Sequence, residues 1–305
     1  MALDTFFKQV VNGLSLGGIY ALIALGYTMV YGIVKLINFA HGDVMMVGAY
    51  TGYFVLRAVG TTPFGFCLAL CAAMLVCALL SLVIERCAYR PLRNAPRLNS
   101  LITAIAVELI LQNLMRVLPF VGPNSRPFPA MPSKTHRLVT SSFPDGLVSI
   151  SDIQLIVIFS SMVLMVLLTL LINYTRTGKA MRAVSWDLGA ASLMGISVNR
   201  TIAITFVIGS ILAGAGGVLY AMAYPQIEPT MGYIPGLKAF VAAVLGGIGS
   251  VPGAMVGGVL LGVVETLVKA YVSSQYSDAI SYLILILMLL VKPSGLLGKK
   301  QLVKV

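Results

Sequence analysis

Charge is what this sequence lacks. Only 10% of its 305 residues are Asp, Glu, Lys or Arg, while 58% are apolar; a soluble domain carries about 25% charged residues. A chain this poor in charge has too little polar side chain to cover a water-facing surface, which excludes a soluble globular protein. Its cysteines are few, at Cys67, Cys71, Cys77 and Cys87. All four fall in or just after one apolar stretch, and no Cys or His pair stands in a polar loop, so neither a zinc site nor a disulfide framework is indicated and they read as small packing groups. No G-x-x-x-x-G-K-[ST] phosphate loop occurs, so the chain does not hydrolyse nucleotide itself and is not read as an enzyme. Arg-rich voltage-sensor helices and T-V-G-Y-G filter segments are missing, which argues against an ion channel. The alternating pattern of an outer-membrane barrel is scarce, and no small-residue cleavage site follows the first apolar stretch, so that stretch is expected to stay.

What is present is length without charge. Gln9 to Val34, Ala58 to Ile84, Ile153 to Thr175, Thr201 to Ile227 and Ala239 to Val264 are uncharged runs, each longer than the roughly 20 residues that span a bilayer as helix. Val44 to Leu56, Ser100 to Leu118 and Ala279 to Val291 are shorter runs that either span or re-enter. The expectation is an all-α, polytopic membrane protein forming one transmembrane domain over residues 1–305, with about eight or nine helices.

The net charge of +11 comes from basic residues gathered in short loops, the pattern that orients a membrane protein rather than one that binds nucleic acid. Arg86 to Arg97, Arg176 to Arg200 and the tail from Lys292 (with Lys299, Lys300 and Lys304) are expected on the cytoplasmic side, which puts the C-terminus there. The stretch 119–152 then lies outside; its prolines (Pro119, Pro123, Pro127, Pro129, Pro132 and Pro144) predict an irregular, stiff loop. The N-terminus is placed outside if Val44 to Leu56 crosses.

Gly246, Gly247, Gly249, Pro252, Gly253 and Gly257 predict a broken helix. The spacing of Gly249, Gly253 and Gly257, and of Gly258 and Gly262, also suits close helix packing. Gly17 to Ala21 and Gly216 to Ala221 are alike, too weakly to define a repeat. Among ionisable residues, Arg57, Arg116, Lys238 and Lys269 stand near span ends and read as snorkelling; Glu85, next to Arg86, reads as locally paired. Glu108 and Glu265 lie inside apolar runs, as pathway residues or as structural pairs. Asn38, His41 and Asp43 sit between two apolar runs; Asn38 and Asp43 cap the next helix, or the group lines a translocation cavity or gate.

Several stretches occur in order: Asn38-Phe39-Ala40-His41-Gly42-Asp43, Ile84-Glu85-Arg86-Cys87-Ala88-Tyr89-Arg90-Pro91, Lys238-Ala239-Phe240 through Gly246 to Ala254, and Pro293-Ser294-Gly295-Leu296-Leu297-Gly298. Together they resemble the permease subunits of branched-chain amino acid ABC importers from about residue 10 onward. The resemblance implies a bacterial inner-membrane subunit that imports leucine, isoleucine and valine by alternating access. It also implies a second homologous permease, two cytoplasmic ABC ATPases, a periplasmic substrate-binding protein and surrounding membrane lipid as partners. ATP and Mg2+ are then used by the ATPases, with no cofactor on this chain. Such permeases carry an E-A-A-x-x-x-G coupling loop; here Gly189 to Gly195, within 176–200, keeps Ala190, Ala191 and Gly195 but has Gly189 where Glu would stand. Asp187 or Arg200 is the expected substitute. Asn38, His41, Asp43, Glu108 and Glu265 are the path or gate candidates. Rival readings are the same machine importing urea or a short-chain amide, and a proton-coupled secondary transporter using Glu108 or Glu265.

Overall fold

The computed structural model describes residues 2–35, 38–93, 95–140 and 143–298, and their side chains except those of 2–4, 97 and 137–148. Ile37, the tail lysines Lys299, Lys300 and Lys304, and the side chains of Arg97 and Pro144 therefore lie outside the described residues. The elements are α1 (Ala2–Val34), α2 (His41–Val59), α3 (Pro63–Ile84), a π-helical turn (Glu85–Tyr89), a 3-10 turn (Arg90–Leu92) and α4 (Arg97–Val117). Then come β1 (Arg126–Pro127), β2 (Thr135–Thr140), β3 (Phe143–Ser151), α5 (Asp152–Tyr174), α6 (Arg176–Trp186), α7 (Leu188–Leu193) and α8 (Val198–Ala223). The chain closes with β4 (Gln226–Ile227), α9 (Tyr233–Gly246), α10 (Val251–Tyr271), a 3-10 turn (Ser274–Tyr276) and α11 (Ser277–Val291).

Among the described residues, seven helical segments are long and apolar enough to cross a membrane, and α9 is a shorter apolar helix. The chain is thus a polytopic helical membrane protein. Small residues decide which helices reach the centre. In an 18-residue apolar window of α1, 83% of residues are buried, against 11% in that of α11, because α1 presents glycine and alanine where α11 presents leucine and isoleucine. A β-carbon on Gly258 of α10 would lie 2.5 Å from Ala21 Cα, and one on Gly17 would lie 2.7 Å from Val259 Cα. Contacts this close replace the hydrophobic drive that is absent in lipid.

The two core helices pack along one another, α1 also along α10 and α9, and α8 also along α3 and α2. α1 starts at the hairpin end, where Gln154 donates to Asn12 at 2.5 Å, and ends beside Gly249. α8 starts after the basic α6–α7 loop and ends where β4 pairs with β1.

The run Ala239 to Val264 is split, as the glycines require. Gly247 ends α9 at φ +108°, a conformation only glycine takes freely, and Ser250 caps α10 by accepting from the Gly253 N–H at 3.3 Å. Pro252 occupies the first turn of α10, where no intrahelical donor is lost. The tail then closes the break: the N–H groups of Leu296 and Leu297 reach the carbonyls of Leu245 and Gly246, each at 2.9 Å. On α10, Gly253 and Gly257 face α9 while Gly258 and Gly262 face α1; Gly249 lies in the turn, outside either stripe.

Three features differ from the sequence-based expectation. Ala58 to Ile84 is not one span, because α2 ends at Val59 and α3 begins at Pro63, with Gly60 at φ +95° between them. The stretch 119–152 is not irregular throughout: β2 and β3 form an antiparallel hairpin. It is pinned to α5 by Asp152, which accepts from the Lys134 N–H and contacts His136 Nε2, both at 2.7 Å. Of the cysteines, only Cys77 is buried; Cys67, Cys71 and Cys87 are exposed on the apolar outside.

Candidate functional site

α2 begins inside the bundle, with His41 through Met46 all buried. Its start meets the start of α9 backbone to backbone: a β-carbon on Gly42 would collide with the Gly232 carbonyl and lie 3.1 Å from Gly236 Cα. Neither helix start carries a side-chain cap, since Ala40 and Gly232 hold those positions. The expected capping by Asn38 or Asp43 is therefore corrected. Asn38 instead accepts from the Tyr89 hydroxyl at 2.8 Å, and Asp43 accepts from Gln112 Nε2 at 3.2 Å.

Beside this junction opens a small cleft. Asp43 and Glu108 supply its acidic groups, Tyr27, Phe39 and Tyr233 its aromatic wall, and Gly42, Gly232 and Gly236 its close backbone. Phe240 backs the wall, 6.1 Å from Tyr27 and 6.2 Å from Phe39 between ring centroids. Gln112 joins the two acids, reaching Glu108 at 3.5 Å as well as Asp43. Four of the five path candidates thus gather in one region, though not in one role. His41 turns away from the cleft into the space above Gly26, between α1 and α8, with its ring edge-on to Tyr27 at 4.9 Å.

Glu265 belongs to a second cluster. One of its carboxylate oxygens accepts from Lys238 at 2.7 Å and from Lys269 at 2.6 Å, and the other accepts from the Tyr20 hydroxyl at 2.9 Å. Lys238 also meets Asp278 at 2.6 Å. Lys238 therefore does not snorkel. Its side chain is 5% exposed and bridges α9, α10 and α11, because a buried cation is tolerated only when paired. Lys269 turns inward to Glu265 as well. Glu85 pairs with Arg93.

In the basic loop, Asp187 caps α7 by accepting from the Ala190 N–H at 2.9 Å. Gly195 takes φ +78° as the N–H groups of Gly195 and Ile196 return to the carbonyls of Ser192 and Ala191, each at 3.0 Å; this is a Schellman stop. Ala190 is exposed and Ala191 buried beneath it, while Arg200 sits exposed in the first turn of α8. Around them Trp186, Leu193 and Met194 are more than 80% exposed and Leu188 is half-exposed.

Tyr27, Gln112, Gly232 and Gly236 are cleft groups that sequence reasoning did not single out. A signal existed for Gln112, which stands four residues after Glu108 and so on the same helix face. For the others only the fold makes the connection.

A helical membrane bundle in which two helix starts meet beside a polar cleft is an arrangement that membrane transport proteins use. The chain belongs to the branched-chain amino acid transport system permease component family, whose sequence model matches residues 9–289. Over 306 aligned positions it is 44% identical to the high-affinity branched-chain amino acid transport system permease protein LivH of Salmonella typhimurium strain LT2, covering 98% of each chain. It is 43% identical to BraD, of the same description, from Pseudomonas aeruginosa, again over 98% of each chain. It is 30% identical to the probable branched-chain amino acid transport permease protein LivH of Methanocaldococcus jannaschii, covering 95% of this chain and 92% of that one. The subunit is a translocation protein, not itself an enzyme.

Proposed function

We propose that this chain is one half of the translocation path of an ATP-driven, high-affinity importer of leucine, isoleucine and valine in the bacterial inner membrane. The observation that carries this reading is the cleft. A zwitterionic aliphatic amino acid has an ammonium, a carboxylate and an apolar branch. Asp43 and Glu108 suit the ammonium, and the aromatic wall suits the branch. The uncapped starts of α2 and α9 suit the carboxylate, since helix N-termini attract anions. The names of the curated relatives support the same substrate class.

A second, homologous permease completes the path, so that substrate passes between the two chains. Two cytoplasmic ATPases, which use ATP and Mg2+, dock on the α6–α7 loop through Trp186, Leu188, Leu193 and Met194, exposed apolar groups that an aqueous face would otherwise leave unpaired. A periplasmic binding protein docks on the 119–152 side and supplies the tight recognition, leaving the permease to bind weakly and release. The C-terminus is cytoplasmic.

The test is uptake of labelled leucine into proteoliposomes holding the cognate partner chains. Uptake that needs ATP and the binding protein, and that valine and isoleucine compete for, is expected. Uptake driven by a proton gradient with this chain alone, or competed by urea rather than valine, would overturn the reading.

A further inference from the structure

The segment from Glu85 to Arg93 belongs neither to the cleft nor to the α6–α7 loop, yet its side chains touch the neighbourhood of both. α3 widens here into a π-helical turn, with the Arg90 N–H bonded to the Glu85 carbonyl. Pro91 is the cause, because its ring cannot sit over the preceding turn of an α-helix. Such turns concentrate at functional positions. The widened turn aims Glu85 and Tyr89 inward, 3% and 2% exposed, while Arg86, Cys87 and Arg90 face out.

Each inward side chain has a distinct partner. The Tyr89 hydroxyl donates to Asn38, the residue before the cleft-lining Phe39, and its ring packs against Phe206 of α8 at 5.4 Å. Glu85 pairs with Arg93, and the same guanidinium donates to Asn199. Asn199 is the second residue of α8, four positions after the Gly195 stop of α7. An unbroken series of polar contacts thus runs from the start of α8 through Arg93 and Glu85, along one turn to Tyr89, and on to Asn38.

We propose that this series is the relay by which displacement of the α6–α7 loop reaches the cleft, with Arg93, Glu85 and Tyr89 as its positioning residues. The proposal rests on the importer reading above. Three hydrogen-bonded links in series, with a rigid turn between the second and the third, transmit a shift that any broken link would lose.

The experiment uses the whole transporter in proteoliposomes, with leucine uptake and ATP hydrolysis read in the same sample. Tyr89→Phe removes only the hydroxyl and Asn199→Ala only the loop-side link. Each is expected to hydrolyse ATP within about twofold of the native rate while uptake per ATP falls about tenfold. The double variant should be no worse than either single one, as links in series require. Unchanged uptake per ATP, uptake and hydrolysis falling together, or singly small effects that multiply would each overturn the relay. Native vesicles lacking ATP-driven uptake would overturn the importer reading instead.

Discussion

The ammonium of Lys238 on α9 lies 2.7 Å from a carboxylate oxygen of Glu265 on α10, and both side chains are withdrawn almost wholly from the surface. Neither charge survives burial alone. Removing Glu265 leaves buried Lys238 with only the half-exposed Asp278 as partner, and breaking a buried pair costs about 3 kcal/mol. Glu265→Leu should therefore lower the thermal midpoint of the purified protein markedly. Adding Lys238→Met to it should recover part of the loss, because the under-paired buried cation is then gone too. Equal, additive losses would mean the pair is not coupled.

Glycines on α1 and α10 are separable by what a methyl group would meet. At Gly258 a β-carbon would sit 2.5 Å from the Ala21 backbone, whereas at Gly32 the nearest atom is Gly249 Cα at 3.6 Å. Gly258→Ala should cost about 1–3 kcal/mol through overpacking and reduce the yield of monodisperse protein. Gly32→Ala should leave yield and thermal midpoint unchanged.

Asp43→Asn keeps an oxygen for Gln112 to donate to, so the fold should persist. What goes is the charge facing the substrate ammonium. Loss of one charge-assisted contact of about 1.4 kcal/mol predicts about a tenfold drop in leucine uptake at low substrate. Glu108→Gln, on the half-exposed side of the same cleft, should act in the same direction. Native uptake in both variants would remove the cleft from the path.

At Gly195 the strain is in the backbone, since a side chain there would meet nothing within 4 Å at φ +78°. Gly195→Val should fray α7, because a left-handed conformation costs a side-chain-bearing residue about 1–2 kcal/mol. Less ATPase should then co-purify with the permease, at unchanged bundle stability. Gly195→Asn, which tolerates this conformation better, should be milder.

Much of this architecture was legible in the residues, and for definable reasons. Long uncharged runs announced the spans because a bilayer reads length and charge directly. The break after Gly246 was legible because glycine and proline act locally. Lys238 was misread because hydropathy sees only neighbours in sequence, while its partners Glu265 and Asp278 come from two other helices. The gap between α2 and α3 was missed because Gly60, Thr61 and Thr62 carry no charge to interrupt the run. Asn38, His41 and Asp43 could be singled out together, but not told apart: one turns to Tyr89, one to Gly26 and one to the cleft.

The central claim is that a branched-chain amino acid passes along the cleft beside the joined starts of α2 and α9. Tyr233 lines that cleft and is 51% exposed, whereas Phe64 is 72% exposed on the outer surface at the start of α3. In a variant with Cys67, Cys71, Cys77 and Cys87 replaced by alanine, Tyr233→Cys and Phe64→Cys each offer one thiol. The rate of thiol modification in the assembled transporter, with and without leucine delivered by the binding protein, tests the claim most directly. Leucine should slow modification of the Tyr233→Cys thiol, spare the Phe64→Cys thiol, and modification at 233 alone should block uptake. Equal rates at 233 with and without leucine, or block of uptake from position 64, would contradict it.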